Sequence, residues 1–289
     1  MPPRLSAAQK LVLQYYRAKL HVMHVINARW AAAAAIDLFT RPYANRRRKD
    51  PAIWQQARPL SLVSGSIKLA GFSWQPSQPN GLSLLIAHGF AGNSRSFERF
   101  IKPALAMGYR VVAFDAPGHG KSEGSRLNVL SYSWMLQDVI KHHGPFNACL
   151  AHSLGGMSLA LALQQQPPPP GAKLVLIAPL VEASRAADGF FNFLELPAGL
   201  RQHFEAEIEN RAGHPLAWFS LPRLLKALPA VQILWVHDEQ DDTTPFADVA
   251  PLLAQPPQGV QFMVTQGLGH SAIYRDNKVK RQVLAFLEP

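Results

Sequence analysis

Short apolar runs alternate with helix-like segments along the chain from about residue 82. The strand-like runs lie at 82–87, 110–114, 146–150, 173–178, 231–237 and 261–266. Runs of this length, each closed by a polar or glycine-containing turn, are typical of strands that are buried on both faces of a parallel sheet. The pattern therefore predicts an α/β fold with a doubly wound, mostly parallel sheet.

A different pattern occupies the first part of the chain. Residues 10–30 follow a helical period, with a polar face and an apolar face. The polar face holds Lys10, Gln14, Arg17, His21 and His24, and the apolar face holds Val12, Tyr16, Met23, Ile26 and Trp30. This periodicity predicts one amphipathic helix over residues 10–30.

A serine stands where one strand-like run meets a helix-like stretch. Residues 151–155 read AHSLG, directly after the run at 146–150, and Gly156 follows. A sharp strand-to-helix turn between small residues lifts a serine hydroxyl above the sheet, as a nucleophile requires. Ala151 replaces the first glycine of the Gly-x-Ser-x-Gly pattern, so one extra methyl group must fit. The alternative is that Ser153 only caps the following helix.

Serine is a weak nucleophile at neutral pH and needs a general base and an orienting acid. A carboxylate-rich segment, 238–242, follows the run at 231–237, and His270 follows the run at 261–266. Strand ends of this kind meet at the edge of the sheet where α/β proteins place their chemistry. We expect His270 to take the Ser153 proton and Asp241 to orient the imidazole. The alternatives are a turn role for the aspartate and a surface position for the histidine.

An acyl-transfer site also needs N–H groups that stabilise the oxyanion. One should be the backbone N–H of Leu154, the residue after the serine. The other should come from the loop after the run at 82–87, where His88 and Gly89 precede Phe90. We therefore predict an oxyanion hole formed by the N–H groups of Phe90 and Leu154.

The segments HGF, DAPGHGKS, AHSLGG, HDEQDD..P and GLGH follow one another between about residue 60 and residue 289. Their order resembles the α/β-hydrolase superfamily, in particular its serine esterase, lipase and acyl-hydrolase branch. The spacing in that family implies Asp241 as the acid, with Asp242 and Glu182 as alternatives. Asp238 departs from the family, which more often has a glycine there.

The resemblance also implies the domain organisation. We expect a basic amphipathic arm at 1–58, a hydrolase core at 59–180 and 231–289, and a helical cap at 181–230. The cap segment is rich in aromatic residues: Phe190, Phe191, Phe193, Phe204, Trp218 and Phe219. We expect some of them to pack the cap and others to line an apolar acyl pocket.

Charge is concentrated at the amino-terminal end. Residues 1–50 carry ten Lys or Arg and two Asp, a net charge of +8, and include the run Arg46–Lys49. The remainder is nearly neutral, at +2, which argues against nucleic-acid binding. The arm has three alternative roles: packing on the body, contact with an anionic membrane surface, or self-association. No segment has the roughly 20 apolar residues of a membrane span or the pattern of a secretory signal, so a cytoplasmic location, with or without peripheral membrane contact, is expected.

The sequence predicts neither a cofactor nor a metal. GHGKS lacks the first glycine of a phosphate-binding loop, because Asp115 occupies that position, and no residues have the spacing of zinc ligands. Cys149 lies in an apolar run and is expected in the core.

The motif set favours a serine hydrolase that cleaves a carboxylic ester or related acyl compound through an acyl-enzyme. A thioesterase, acyltransferase, amidase or carbon–carbon bond hydrolase would use the same triad. A catalytically silent receptor or scaffold is the alternative from a different class.

Overall fold

The computed structural model describes residues 6–42, 50–228 and 231–289. The basic run Arg46–Lys49 lies outside the described residues. The chain forms two compact units. One consists of Met1–Arg41 and Glu182–Phe219, and the other of Pro42–Val181 and Ser220–Pro289.

The larger unit contains one sheet, with eight strands among the described residues. The strands are β1 (Arg58–Ser64), β2 (Ile67–Trp74), β3 (Ser83–Ala87), β4 (Arg110–Phe114), β5 (Ala148–His152), β6 (Lys173–Ile177), β7 (Gln232–Asp238) and β8 (Val260–Thr265). Their order is β1-β2-β4-β3-β5-β6-β7-β8, and only the β1–β2 and β2–β4 pairs are antiparallel. The predicted fold class, a mostly parallel α/β sheet, is confirmed.

The helices connect these strands and form most of the smaller unit. They are α1 (Ala7–Ile26), α2 (Ala28–Phe39), α3 (Glu98–Ala106), α4 (Val129–His143), α5 (Leu154–Gln165), α6 (Ala183–Leu194), α7 (Ala198–Ala212), α8 (Leu221–Lys226), α9 (Ala250–Ala254), α10 (Gly269–Ala272) and α11 (Asn277–Leu287). Of these, α1, α2, α6 and α7 belong to the smaller unit.

The six predicted strand-like runs correspond to β3–β8, with ends that differ by at most two residues. The hairpin of β1 and β2 was not among them. Every residue of β1 is exposed or half-buried, so the strand lacks the apolar run that marks its buried neighbours. Gly65, at φ +57°, makes the tight turn between the two strands.

The core lies against the centre of the sheet. Strands β3 and β5 are buried along their whole length, because helices cover both faces. On one face, Phe97 and Phe100 pack with Val279 and Val283 of α11 in a single apolar cluster. The Tyr109 hydroxyl donates to the Leu287 carbonyl at 2.7 Å and ties down the end of α11. The sheet is therefore a rigid platform for the loops at its carboxyl edge.

The first helix differs from the prediction. It ends at Ile26, because Asn27 is extended (φ −158°) and its Oδ1 accepts from the N–H groups of Arg29 and Trp30. Asn27 thereby caps α2, and the predicted helix over 10–30 is two helices. The polar face of α1 makes contacts within the unit, where Arg17 pairs with Glu195 at 2.7 Å.

The apolar residues of α1 are only partly covered. Tyr16 and Met23 are half-buried, but Val12 and Ile26 are exposed, as is Trp30 in α2. Further exposed apolar side chains lie on α1: Leu11, Tyr15, Val22 and Val25. The predicted apolar stripe thus remains largely on the surface.

Aromatic side chains form the interior of the smaller unit. Phe39 of α2 lies 5.1 Å from Phe190 and 5.7 Å from Phe204, centroid to centroid, and Phe191 lies 5.1 Å from Phe204. Phe193 is exposed. Among the residues that the structure describes, no helix combines the length and apolar character that crossing a membrane requires.

Candidate active site

Ser153 occupies the sharp turn between β5 and α5. Its backbone has φ +53° and ψ −126°, a conformation that L-residues rarely adopt. The turn is held on both sides: the Ser153 N–H donates to the Ile177 carbonyl at 3.2 Å, and the Ser153 carbonyl accepts from Leu180 at 3.0 Å. The side chain is almost buried, at 9% exposure. The backbone strain and its supports keep the serine at the carboxyl edge of the sheet.

Two glycines after the serine make this turn possible. A Cβ at Gly155 would lie 2.5 Å from the His88 carbonyl oxygen, and a Cβ at Gly156 would lie 2.9 Å from Pro179 Cβ. Side chains larger than hydrogen would therefore push α5 away from the neighbouring strands. Ala151, at the first position of the motif, is fully buried within β5, so its methyl group is accommodated there.

The structure brings Ser153, His270 and Asp241 together. His270 Nε2 lies 3.0 Å from Ser153 Oγ, and His270 Nδ1 lies 2.8 Å from Asp241 Oδ2. His270 lies in the short helix α10, which follows β8, and Asp241 lies in the loop after β7. Three residues separated by up to 117 positions thus form one continuous hydrogen-bonded line.

Asp241 is held firmly as an acceptor. Its Oδ1 accepts from the backbone N–H groups of Thr243 at 2.9 Å and Thr244 at 2.8 Å, and its Oδ2 accepts from the Thr244 hydroxyl at 2.9 Å. Burial raises the pKa of the Asp241 carboxyl, but the hydrogen bond and charge of His270 and these N–H groups outweigh it and keep the pKa below its ordinary value. The carboxylate is therefore ionised at neutral pH.

The sequence offered Asp242 and Glu182 as alternative acids. Asp242 is exposed, and its Oδ1 accepts from the Thr243 hydroxyl at 3.3 Å. Glu182 precedes α6 in the smaller unit. Of the adjacent pair, the structure joins Asp241 to His270.

A buried polar chain behind Asp241 was missed by the sequence analysis. Trp235 Nε1–H donates to His237 Nδ1 at 3.3 Å, and His237 Nε2–H donates to the Thr244 carbonyl at 2.7 Å. Burial lowers the pKa of His237, which is consistent with a neutral imidazole that donates through Nε2. Alternation along β7 would have placed Trp235 and His237 on the same face, but not against Thr244.

The loop after β3 lies against the serine. A Cβ at Gly89 would lie 3.0 Å from Ser153 Cβ and 2.6 Å from His152 Nδ1, so only glycine fits. The Gly89 carbonyl accepts from His88 Nδ1 at 2.8 Å and from the Gly92 N–H at 2.9 Å. These bonds orient the Gly89–Phe90 peptide, whose N–H is the predicted oxyanion donor.

Two more histidines support this region. His119 Nε2 is hydrogen-bonded to the Phe90 carbonyl, and His88 Nε2 accepts from the Ala116 N–H at 2.9 Å. Burial, followed by the nearby His119, lowers the pKa of His88 to about 4. A neutral His88 can therefore donate through Nδ1 and accept through Nε2 at the same time. Leu154, the other predicted donor, is the first residue of α5, where N–H groups have no partner within the helix.

His152 is hydrogen-bonded to the backbone of His270, the predicted base. Its Nε2 lies 3.1 Å from the His270 carbonyl oxygen, to which it donates. Burial lowers the pKa of His152 to about 3, with a smaller contribution from His270. A neutral ring next to His270 avoids a competing positive charge at the site.

Within 6–42, 50–228 and 231–289, no three His, Cys, Asp or Glu side chains are grouped as a metal site would require. Cys149 is buried, and burial raises its pKa to about 12, so its thiol is a core group.

Comparisons with known proteins agree with this architecture. Residues 83–202 match a family model described as the alpha/beta hydrolase fold. Human monoglyceride lipase is 29% identical over 129 residues, which are 42% of this chain and 42% of that protein. The magnesium-chelatase 30 kDa subunit of Rhodobacter capsulatus is 36% identical over 127 residues, 42% of this chain and 43% of that one. The solved structure of a Pyrococcus furiosus esterase has a TM-score of 0.64 at 17% identity, over 86% of this chain and 98% of that chain.

The strand order and the strained serine turn, taken with these similarities, are those of the α/β-hydrolase fold. The predicted resemblance to the α/β-hydrolase superfamily is confirmed by the match of residues 83–202 to its family model. The chain matches less than half the length of the curated relatives named above.

Proposed function

We propose that this protein is a serine hydrolase that cleaves a carboxylic ester or a related acyl compound. The observation that carries the proposal is the line from Ser153 Oγ to His270 Nε2 at 3.0 Å and from His270 Nδ1 to Asp241 Oδ2 at 2.8 Å. The similarity to human monoglyceride lipase supports an ester as the substrate class.

In the proposed mechanism, Ser153 Oγ attacks the acyl carbon while its proton passes to His270 Nε2. Asp241 keeps the Nδ1 proton of His270 in place and stabilises the imidazolium. His270 then gives its proton to the leaving alkoxide, which departs as the alcohol and leaves an acyl-enzyme. Water, deprotonated by His270, attacks this ester, and the acid departs as His270 returns the proton to Ser153 Oγ.

The tetrahedral intermediate carries a negative charge on the former carbonyl oxygen. We propose that the backbone N–H groups of Phe90 and Leu154 stabilise this oxyanion. The closeness of Gly89 to Ser153 supports the first, and the position of Leu154 at the start of α5 supports the second. In the same scheme, we propose that residues 181–230 act as the cap and determine acyl selectivity.

Hydrolysis of p-nitrophenyl esters of two to sixteen carbons, by wild type and by Ser153→Ala, tests this proposal. Wild-type turnover should fall by about 10⁴-fold or more in the variant, because the nucleophile is lost. The chain-length profile reports the depth of the acyl pocket. Full activity in Ser153→Ala would disprove the assignment of the nucleophile.

The alternative enzymes differ from an esterase in the bond that they cleave or in the group that accepts the acyl chain. A thioesterase, amidase, acyltransferase or carbon–carbon bond hydrolase would label with a fluorophosphonate but turn over p-nitrophenyl esters poorly. A silent scaffold would do neither. Labelling of wild type and its absence in Ser153→Ala therefore separate the enzyme classes from the scaffold.

We also propose that the amino-terminal arm contacts an anionic membrane surface. Exposed apolar side chains run along α1, and Val25 reaches 87% exposure. Lys10, Lys19 and Arg29 are exposed on the same arm, and Asp37 is the sole acidic residue in 1–49 of the sequence. A helix with an apolar face and flanking positive charge binds at the headgroup region of anionic lipids.

Co-sedimentation with vesicles tests the membrane contact. Wild type should bind phosphatidylglycerol vesicles more tightly than phosphatidylcholine vesicles, and salt should weaken the binding. Val25→Glu should abolish it, and Val63→Glu, at an exposed apolar position on β1, should not. Equal binding by wild type and Val25→Glu would contradict the proposal, and a dimer disrupted by Val25→Glu would favour self-association.

A further inference from the structure

Asp238, at the end of β7, is a fully buried carboxylate for which the proposed mechanism has no use. It lies three residues before Asp241. A buried charge costs free energy unless hydrogen bonds or an opposite charge compensate it, so Asp238 needs partners inside the protein.

The partners of Asp238 come mainly from the loop that carries His270. Its Oδ1 accepts from the Gly269 N–H at 2.9 Å, and its Oδ2 accepts from the Leu268 N–H at 3.1 Å and the Thr265 hydroxyl at 2.7 Å. Its Oδ1 also accepts from the Gln240 N–H at 3.1 Å, within its own loop. Gly269 is bonded directly to His270, so the peptide next to the proposed base is anchored to this carboxylate.

The same two loops, 238–242 and 265–270, are joined at their outer side. The Glu239 N–H donates to the Thr265 carbonyl at 2.9 Å, and Gln266 Nε2 donates to Glu239 Oε2 at 2.9 Å. The outer groups, Glu239 and Gln266, are exposed, whereas Asp238 is buried. Water can replace the exposed side-chain bond but not the inner ones, so Asp238 supplies buried contacts between the two loops.

The chemistry at Asp238 requires the ionised form. Burial raises the pKa of this carboxyl, but the Thr265 hydroxyl and the three backbone N–H groups outweigh it and keep the pKa below its ordinary value. Four donors point at two oxygens. An amide would turn an NH₂ group toward one pair of these donors, and a glycine would leave all four without a partner.

We propose that Asp238 is a positioning residue that holds the His270 loop against the Asp241 loop and thereby aligns His270 with both Asp241 and Ser153. The proposal rests on the proposed hydrolase function. Asp238 touches neither Ser153 nor the side chain of His270, so it acts through the backbone at Leu268 and Gly269. Displacing the imidazole by about 1 Å is enough to cost about a hundredfold in rate.

Asp238→Asn, in the full chain, tests this role. We expect kcat for a short p-nitrophenyl ester to fall by about a hundredfold at nearly constant KM, because the alignment of His270 is lost and the substrate surface is not. The acidic limb of the pH profile of kcat should shift, because the hydrogen bond between Asp241 and the His270 imidazole is disturbed. Glu239→Gln is the matched control on the same loop and should leave kcat within about twofold.

A readout that does not need turnover separates this inference from the proposed function. The low-field proton NMR resonance of His270 Nδ1–H reports its hydrogen bond to Asp241. It should be present in wild type and in Glu239→Gln, and shifted or lost in Asp238→Asn. If wild type turns over no acyl substrate, the proposed function fails, and this resonance still decides whether Asp238 aligns His270.

Thr265→Val keeps the proposal testable if Asp238→Asn does not fold. This variant removes one donor to Asp238 Oδ2 with little change of shape. We expect a smaller loss of kcat, about three- to tenfold, again at constant KM, with a shift of the same resonance. A folded Asp238→Asn, or failing that Thr265→Val, with wild-type kcat, pH profile and resonance would overturn the proposal.

Discussion

Thr244 donates to Asp241 twice, through its backbone N–H at 2.8 Å and its hydroxyl at 2.9 Å. The same hydroxyl oxygen lies 3.2 Å from His270 Nδ1. Thr244 thus sits at the junction between the proposed acid and the proposed base. The His237 ring holds the Thr244 carbonyl from behind, at 2.7 Å, so the position of this residue is determined from three sides.

Replacing Thr244 by Val should lower kcat by about tenfold, because the carboxylate of Asp241 loses one charge-assisted hydrogen bond and is held less firmly. Thr244→Ser keeps the hydroxyl and should retain most of the activity. Steady-state kinetics of the two variants on one ester, at equal folded fraction by circular dichroism, check this. Equal rates in Thr244→Val and Thr244→Ser would show that the hydroxyl does not contribute.

The two adjacent aspartates should behave differently. Asp241→Asn should reduce kcat by about 10⁴-fold, because an amide favours the wrong tautomer of His270. Asp242→Asn should leave kcat within about twofold, because Asp242 is exposed and accepts from Thr243, whereas Asp241 is the aspartate bonded to His270. Parallel kinetic measurements on both variants would reveal the acid. Loss of activity in Asp242→Asn alone would reverse the proposed roles.

The glycine after Leu154 should be intolerant of substitution. Gly155→Ala would place a Cβ 2.5 Å from a backbone oxygen of His88, and we expect a loss of about 2 kcal/mol or more in the free energy of unfolding. Gly189→Ala is the matched control, because nothing lies within 4 Å of its Cβ and it lies inside helix α6.

Gly189→Ala should raise the free energy of unfolding by about 0.5–1 kcal/mol, because alanine loses less backbone entropy in a helix. Urea unfolding of both variants checks the pair. A stable, active Gly155→Ala would show that the turn at Ser153 relaxes more easily than the distances imply.

Stability should fall on mild acidification. Burial lowers the pKa of His88 to about 4 and of His152 to about 3, below the ordinary value of 6.5. Between those values the unfolded chain binds protons that the folded chain does not. Each of these histidines therefore costs about 1.4 kcal/mol of stability per pH unit as the pH falls below 6.5.

Urea unfolding between pH 7.5 and 4.5 measures this slope. His152→Gln should reduce the slope by the contribution of one proton, about 1.4 kcal/mol per pH unit. The aspartates contribute in a different range. The pKa of Asp238 and of Asp241 is lowered in the folded protein, so their stabilisation is complete above about pH 3.8 and is lost only as the pH falls through the folded pKa. Parallel curves for wild type and His152→Gln would contradict the assignment of the acid sensitivity to His152.

Local patterns in the sequence were sufficient to predict much of this architecture. Strands β3–β8 were predictable because each is a short, largely apolar run closed by a turn, and the order of motifs led to Ser153, Asp241 and His270. The β1–β2 hairpin escaped because polar residues interrupt both strands, RPLSLVS and IKLAGFSW, so neither is a continuous apolar run. The break at Asn27 escaped because helical periodicity continues across it, whereas the cap depends on one backbone conformation.

The candidate site divides in the same way. Residue type and position after a strand are local properties, so the sequence was sufficient to name the serine, the histidine and a short list of acids. Motif spacing already favoured Asp241 over Asp242. The contacts of Thr244 and His237, and the hydrogen bonds from the His270 loop to Asp238, required the tertiary structure. Hydrogen bonds between distant loops depend on atomic positions within a few tenths of an ångström, and the spacing of residues along one chain does not encode them.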